Sequence, residues 1–443
     1  MLGRRALGRL GRGTQRYGLA WKSSSPKAEE ENGSLGSKMG DQTVLAEEIE
    51  NDSVQLTGQG LIPATTTLNI QNTLEFEKWP VFRILGKEGN VLPGAEVPAE
   101  LGKEEFVKMY STMVQVQAMD DIFYNAQRQG RISFYMQNAG EEGIHIGSAA
   151  ALTNEDVILA QYRELGVLLW RGFGLQQAAD QCFGNEKDLG KGRQMPVHYG
   201  SKELNFHTIS SPLATQLPQA SGVAYALKLS KKQAVAVTYF GEGAASEGDF
   251  HAAVNIASTL DAPCIFFCRN NGYAISTPVK DQFRGDGIVS RAAGYGVHAV
   301  RVDGNDMVAV YKAMKEAKAV ALAENRPVIV EAMSYRRGHH STSDDSTRYR
   351  SLSEIEHWHK ELDPLTRVRN YMQSQGWWDE EDEQNLRDQE RLKALEALGV
   401  AEKRGKAPFN ELFQDVFRDM PPNLIKQRAE LIEHMEKYPD HYK

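Results

Sequence analysis

The chain has 443 residues, 41% of them hydrophobic and 25% charged, with a formal net charge of -8. That length holds one large or two ordinary domains, and no apolar run approaches the roughly 20 residues needed to cross a bilayer. Only Cys182, Cys264 and Cys268 are present, too sparse a set for a disulfide framework and one that fits a reducing compartment.

Residues 1–22 hold Arg4, Arg5, Arg9, Arg12, Arg16 and Lys22 and no acid. An Arg-rich, acid-free leader without a continuous apolar core reads as a mitochondrial transit peptide, with a plain basic tail as the alternative. Without it the body of the chain is more acidic still, which argues against nucleic acid as a partner. Residues 23–73, rich in Ser, Gly, Gln, Asn, Thr and Glu, lack the apolar content to order themselves and read as a disordered linker. Residues 74–102 mix apolar and turn signals and read as an extended arm carrying a short hairpin or loop.

From 103 to 363 the pattern is that of one α/β domain. Phe106, Met109, Tyr110, Met113 and Val116 fall on one face of a helix that begins after Gly102. Short apolar runs at 234–240, 264–270, 298–302 and 327–333 predict four fully buried strands, with helices at about 248–260 and 306–324 between them. Met307, Val310, Tyr311, Met314, Ala317 and Ala321 form the stripe of the second helix. Such alternation predicts a parallel sheet with helices on both faces. Residues 364–443 lose the strands and read as a helical extension, with segments at about 365–375, 379–404, 410–418 and 421–437.

Two strand ends carry the most chemistry. In YFGEGAASEGD (239–249) a buried strand stops at Gly241, Glu242 follows, and a helix opens after Ser246. The next strand ends in RNNGY, placing Asn271 thirty positions after Gly241 and Tyr273 two further on. Ligands of parallel sheets sit beyond the carboxyl ends of the strands. A carboxylate, an amide oxygen and a backbone carbonyl, completed by phosphate and water, suit octahedral Mg²⁺ on a diphosphate. Either segment alone would read as an ordinary turn; the pair points to a site.

GEG followed by NN at that spacing resembles the thiamine diphosphate motif, and it lies inside a longer match. From about residue 74 onward the chain resembles the alpha subunits of branched-chain 2-oxoacid dehydrogenase decarboxylase components. The runs that carry the resemblance are GRISFYMQNAGEEG (130–143), QYRELGV (161–167), GKGRQMPVHYG (190–200), ISSPLATQ (209–216), FFCRNNGYAISTP (266–278), RVDGNDM (301–307) and RRGHHSTSDDSTRYRS (336–351). GEG with SEGD resembles the branched-chain branch, where pyruvate-type relatives carry GDG with Asn-Gln; a pyruvate-type subunit and a cofactor-dead scaffold are the alternatives.

The resemblance implies a thiamine diphosphate-binding fold, of which this chain supplies the diphosphate-binding half, and oxidative decarboxylation of the 2-oxoacids of Leu, Ile and Val with reductive acylation of a lipoyl group. It implies Mg²⁺ held by Glu242, Asn271 and the carbonyl of Tyr273. Thiamine diphosphate would meet Tyr162, Arg163, Ser211, Leu213, Gly243, Ala244, Arg269 and His340, the arginines gripping phosphate oxygens. Taken alone, Arg163 also fits a surface ion pair. A structural K⁺ would take oxygens from Ser210, Pro212, Thr215 and Gln216. Gln161, Ser211 and Leu213 would form a substrate pocket, although a core role suits Leu213 equally. Implied partners are a beta subunit in an alpha2-beta2 heterotetramer, the lipoyl acyltransferase core, and a dedicated kinase and phosphatase, all in the mitochondrial matrix. The carboxylate that the aminopyrimidine ring needs is not expected from a second domain of this chain, and the resemblance implies that the beta subunit supplies it.

Residues 336–353 form an unpatterned stretch after the last strand, and such stretches in a compact domain point to function. By resemblance His340 serves proton transfer in acyl handover, and Ser341 and Ser351 are phosphorylation sites. A phosphate of roughly -1.5 to -2 charge beside His340 and Arg336 would draw those groups away from the cofactor. Cys264 and Cys268 read as two buried free thiols. His198 and Arg193 read either as the entrance for a lipoyl arm or as a solvated basic loop.

Overall fold

The computed structural model describes residues 53–56 and 60–442, so the leader lies outside the described residues, as does most of segment 23–73. The chain divides into two units between Gln71 and Asn72. In the first, β1 (Ser53–Leu56) pairs antiparallel with β2 (Gly60–Pro63), Val54 opposite Ile62. Composition predicts no order there, because a ladder of four residues is too short for its alternation to stand out from the polar sequence around it.

In the second unit the arm runs beside the sheet. The Phe82 N–H donates to the Arg301 carbonyl at 2.9 Å and the Phe82 carbonyl accepts from the Asp303 N–H at 3.0 Å. A tight loop over Gly86–Asn90 then reverses the chain, and the Asp306 carboxylate accepts the N–H groups of Ile84 and Leu85 at 2.7 and 2.6 Å.

The main sheet contains β3 (Val157–Leu159), β4 (Phe206–His207), β5 (Ala236–Gly241), β6 (Cys264–Asn270), β9 (His298–Asp303) and β10 (Val328–Met333), all parallel, in the order β4-β3-β5-β6-β10-β9. A small antiparallel pair, β7 (Tyr273–Ala274) with β8 (Thr277–Pro278), follows β6. Side chains alternate between two cores, as strand geometry requires. Val237, Tyr239, Ile265, Phe267, Val328 and Val330 enter one, beneath helices Lys103–Arg128, Glu142–Ala150 and Met307–Glu324. Ala236, Phe240, Phe266 and Ile329 enter the other, beneath Gln216–Leu229 and Gly248–Thr259. Cys264 and Cys268 share that second face as buried free thiols.

Two expectations change. β9 is not fully buried: His298, Ala299 and Val300 are partly exposed because β9 is the sheet edge. Within the helical extension, Pro364–Ser374, Glu380–Lys403 and Pro422–Lys437 form as expected, but 410–418 gives only a 3-10 turn, Phe409–Phe413. Asp415 stops it at φ 68, its carboxylate held by Lys191 and Arg193 at 2.6 and 2.9 Å. An additional helix, Leu352–Glu361, follows the 336–351 loop and is capped by the Ser351 hydroxyl, which accepts the Glu354 N–H at 3.1 Å.

Candidate functional site

Because the strands are parallel, the ends of β3, β5, β6 and β10 all open on one edge of the sheet. Gln161, Tyr162 and Arg163 follow β3, Glu242 follows β5, Asn271 and Tyr273 follow β6, and Arg336 and His340 follow β10. Together with Ser211, Leu213, Gly243, Ala244 and Arg269 these residues line one cleft of about 420 Å³, completed by Phe134, Met136, Met195, His198 and Ile275. All residues expected around the cofactor, magnesium and substrate therefore meet there. Gly243 allows the close approach of β7: a Cβ on it would lie 2.6 Å from that of Ala274.

Glu242 is buried at the floor. One carboxylate oxygen accepts the Asn271 N–H at 3.3 Å, while the other is buried without a hydrogen-bond partner. Burial, reinforced by the Glu141 carboxylate, pushes its pKa up to about 7. Asn271 accepts the Tyr273 N–H on its side-chain oxygen at 3.3 Å and donates its amide to Glu141 at 2.7 Å. A buried carboxylate oxygen with no donor costs free energy unless a proton or cation satisfies it. Among the described residues no group of three or more His, Cys, Asp and Glu converges on a metal position. The arrangement suits a hard ion that keeps water and phosphate ligands, so these residues fit the implied group.

Arg163 is buried, which removes the surface-pair reading. It donates to the carbonyls of Gln137 and His340, the latter at 2.7 Å, and its Nη2 lies 3.4 Å from His340 Nδ1. A guanidinium only donates, so Nδ1 accepts and the neutral ring carries its proton on Nε2. Burial, then Arg163 and Arg336, hold the His340 pKa down at about 3. The ring stands edge-on to Tyr162 at 5.9 Å, and its backbone N–H donates to Asp344 at 2.8 Å.

Arg269 forms the cleft wall, but its guanidinium is held by two buried carboxylates, Glu141 at 2.6 Å and Glu164, and it also donates to Gln161 at 3.3 Å. Burial alone would raise the Glu141 pKa, but Arg269 and Arg163 draw it down to about 2. Glu164 further accepts the N–H groups of Gln161 and Arg163 at 2.9 and 3.0 Å. Glu141 and Glu164 are thus the organising acids of the site that sequence reasoning missed. Both lie in runs quoted for the resemblance, yet only the fold brings them to an arginine more than a hundred residues away.

The remaining expectations separate. Leu213 is 44% exposed and faces the cleft, so it is not a core leucine. His198 is buried at the cleft, whereas Arg193 binds Asp415 and the carbonyls of Glu411 and Gln414 elsewhere. Ser210, Pro212, Thr215 and Gln216 lie beside the cleft rather than in it. The Thr215 hydroxyl reaches Ser210 Oγ at 3.3 Å and the Pro212 carbonyl at 3.2 Å, and the Gln216 amide donates to Tyr239 at 2.9 Å. Ser341 is buried and accepts the Ser343 N–H at 3.2 Å; Ser351 is exposed.

Residues 110–410 match the family described as the dehydrogenase E1 component. The mitochondrial 2-oxoisovalerate dehydrogenase subunit alpha of Homo sapiens is 56% identical over 363 residues, 82% of this chain and 81% of that protein. The subunit of the same name from Caenorhabditis elegans is 51% identical over 406 residues, 90% and 94% of the two chains. Subunit alpha 2 from Arabidopsis thaliana is 52% identical over 385 residues, 86% and 81%.

Proposed function

The chain belongs to the dehydrogenase E1 component family as the alpha subunit of a mitochondrial branched-chain 2-oxoacid dehydrogenase, and from that premise we propose how its cleft performs the reaction. The enzyme depends on thiamine diphosphate, and the chain works with a beta subunit. When bound, thiamine diphosphate supplies a nucleophilic carbon and an electron sink for decarboxylation.

The unpaired oxygen of Glu242 is the observation that carries the assignment. Glu242, Asn271 and the Tyr273 carbonyl hold Mg²⁺, and Arg163, Tyr162, Gly243 and Ala244 hold the diphosphate end. Arg269, committed to Glu141 and Glu164, acts by fixing Gln161 and Asn271 around the cofactor. An anion beside Arg163 and Arg336 would offset those two cations, which add to burial in keeping His340 unprotonated, and so would favour its handing a proton to the lipoyl sulfur as the acyl group transfers. Leu213, with Phe134, Met136 and Ile275, gives the cleft an apolar wall for a branched chain, while Gln161 and Ser211 supply polar contacts. K⁺ among Ser210, Pro212, Thr215 and Gln216 braces the loop that carries Ser211.

The partner set is the alpha2-beta2 tetramer, the lipoyl acyltransferase core, and a kinase and phosphatase acting on Ser341 and Ser351. Ser341 adjoins His340 and is buried, so a charge there is incompatible with the loop as folded. Ser341→Glu should lower turnover about tenfold, less than phosphate does, since one carboxylate carries less charge; unchanged turnover and loop proteolysis in phosphorylated protein would sink this mechanism.

The assay that tests the whole reading follows 2-oxoacid-dependent reduction of an artificial acceptor by the chain co-expressed with its beta subunit. Cofactor-dependent preference for 3-methyl-2-oxobutanoate over pyruvate is expected. Preference for pyruvate would overturn the substrate class, and silence in a cofactor-loaded tetramer would leave a scaffold.

A further inference from the structure

His198 is buried where two clefts meet, the one described above and a more polar one of about 520 Å³ on its other side. Nothing in the proposed reaction uses it. Val197, just before it, is a buried β-branched residue at φ 66, a conformation such side chains rarely adopt and one that persists only where the surroundings impose it. Ile275, which lines the same cleft, is a second β-branched residue in this region at φ 54, and Ala214, three residues after Ser211, stands at φ 65.

His198 Nδ1 lies 3.1 Å from the Pro196 carbonyl and Nε2 lies 2.8 Å from Ser211 Oγ. A carbonyl oxygen only accepts, so Nδ1 carries a proton. In the neutral ring Nε2 is then an acceptor, and the proton between the two side chains belongs to Ser211. A hydroxyl has one proton to give. Once it points at His198, the serine can offer the cleft only lone pairs.

We propose that His198 is a positioning residue that turns the Ser211 proton away from the cleft, so that Ser211 meets the 2-oxoacid as an acceptor and steers its carboxylate elsewhere. This rests on the reading of the cleft as the 2-oxoacid site. It also accounts for the strain at Val197, which aims the ring at Ser211 rather than at the second cleft.

Two polar variants separate the ring nitrogens. His198→Asn keeps a donor for Pro196 but ends short of Ser211, freeing the hydroxyl to donate into the cleft; His198→Gln extends an acceptor to where Nε2 lay. The probe is 3-methylbutanoate, an anion without the keto carbon, titrated calorimetrically into the assembled tetramer loaded with thiamine diphosphate and Mg²⁺. His198→Asn should bind it more tightly by about tenfold or more, as expected for one added hydrogen bond to a charged group, and should lower kcat for 3-methyl-2-oxobutanoate. His198→Gln should bind it within about twofold of the unsubstituted protein. The gain should vanish when Ser211→Ala is combined with His198→Asn. Equal weakening in both His198 variants, or a gain that survives Ser211→Ala, overturns the inference in favour of a packing role. Cofactor binding, followed by tryptophan fluorescence in each tetramer, keeps the two claims apart. If the unsubstituted tetramer does not take up thiamine diphosphate, the cleft reading falls and this inference with it; if it does and the Asn and Gln variants match, only the inference falls.

Discussion

Glu242→Gln in the assembled tetramer is expected to lower turnover by about 10³-fold or more, equivalent to roughly 4 kcal/mol of lost transition-state stabilisation. The substitution keeps shape and removes only the charge that a metal would balance. Its effect on the unloaded protein should have the opposite sign. The orphan carboxylate oxygen of Glu242 is an expense of the unloaded fold, so the Gln variant should unfold at equal or higher urea concentration at pH 8, while added Mg²⁺ with thiamine diphosphate no longer protects it.

The pH dependence follows from the same residue. Its folded pKa of about 7 lies above the ordinary 4.5, so between those values the folded protein binds more protons than the unfolded chain. The contribution of Glu242 to stability is fully present below about 4.5 and is lost as pH rises through 7. Urea midpoints of the unloaded protein should therefore fall across that window more steeply than those of Glu242→Gln. Parallel curves would show that Glu242 does not hold that proton.

Arg269→Met should cost about 3–5 kcal/mol of stability, because it strands Glu141 and Glu164 as buried charges without their cation. Both carboxylates are fully buried. Glu141→Gln should cost less, since Arg269 keeps its ion pair with Glu164. Denaturant titration of the three proteins checks the order. A mild Arg269→Met would mean that water or a relaxed backbone reaches the two acids. Removing Arg269 should also loosen Gln161 and Asn271, so cofactor affinity is expected to fall with stability.

What the sequence revealed depended on where the information was local. β5 and β6 announce themselves because both faces are buried and their runs are uninterruptedly apolar. β3 and β4, three and two residues long, are too short for any periodicity to register. The half-exposed β9 carries the same apolar run as a buried strand, and only its place in the sheet order reveals the edge. The 410–418 segment has helical character, but Lys191 and Arg193, more than two hundred residues earlier, hold Asp415 in a left-handed turn instead. The meeting of Glu242 and Asn271 was legible because they sit at two strand ends about thirty residues apart. The Glu141–Arg269–Glu164 cluster was not, because burial turns three ordinary charged residues into a site only after the sheet has formed.

The strand order also sets a sequence of events during folding. β5 and β6 are neighbours both along the chain and in the sheet, so the corner formed by Glu242 and Asn271 closes with little loop entropy. Arg163 and His340 arrive on β3 and β10 from opposite directions, and the segment between them spans most of the domain. Contacts so distant in sequence form late. A chain that has zipped only its central strands could therefore capture a divalent ion without being able to fix the organic cofactor. Retention of thiamine diphosphate would report that both strands flanking the central pair had docked, and by mass action the bound cofactor would then hold them in place.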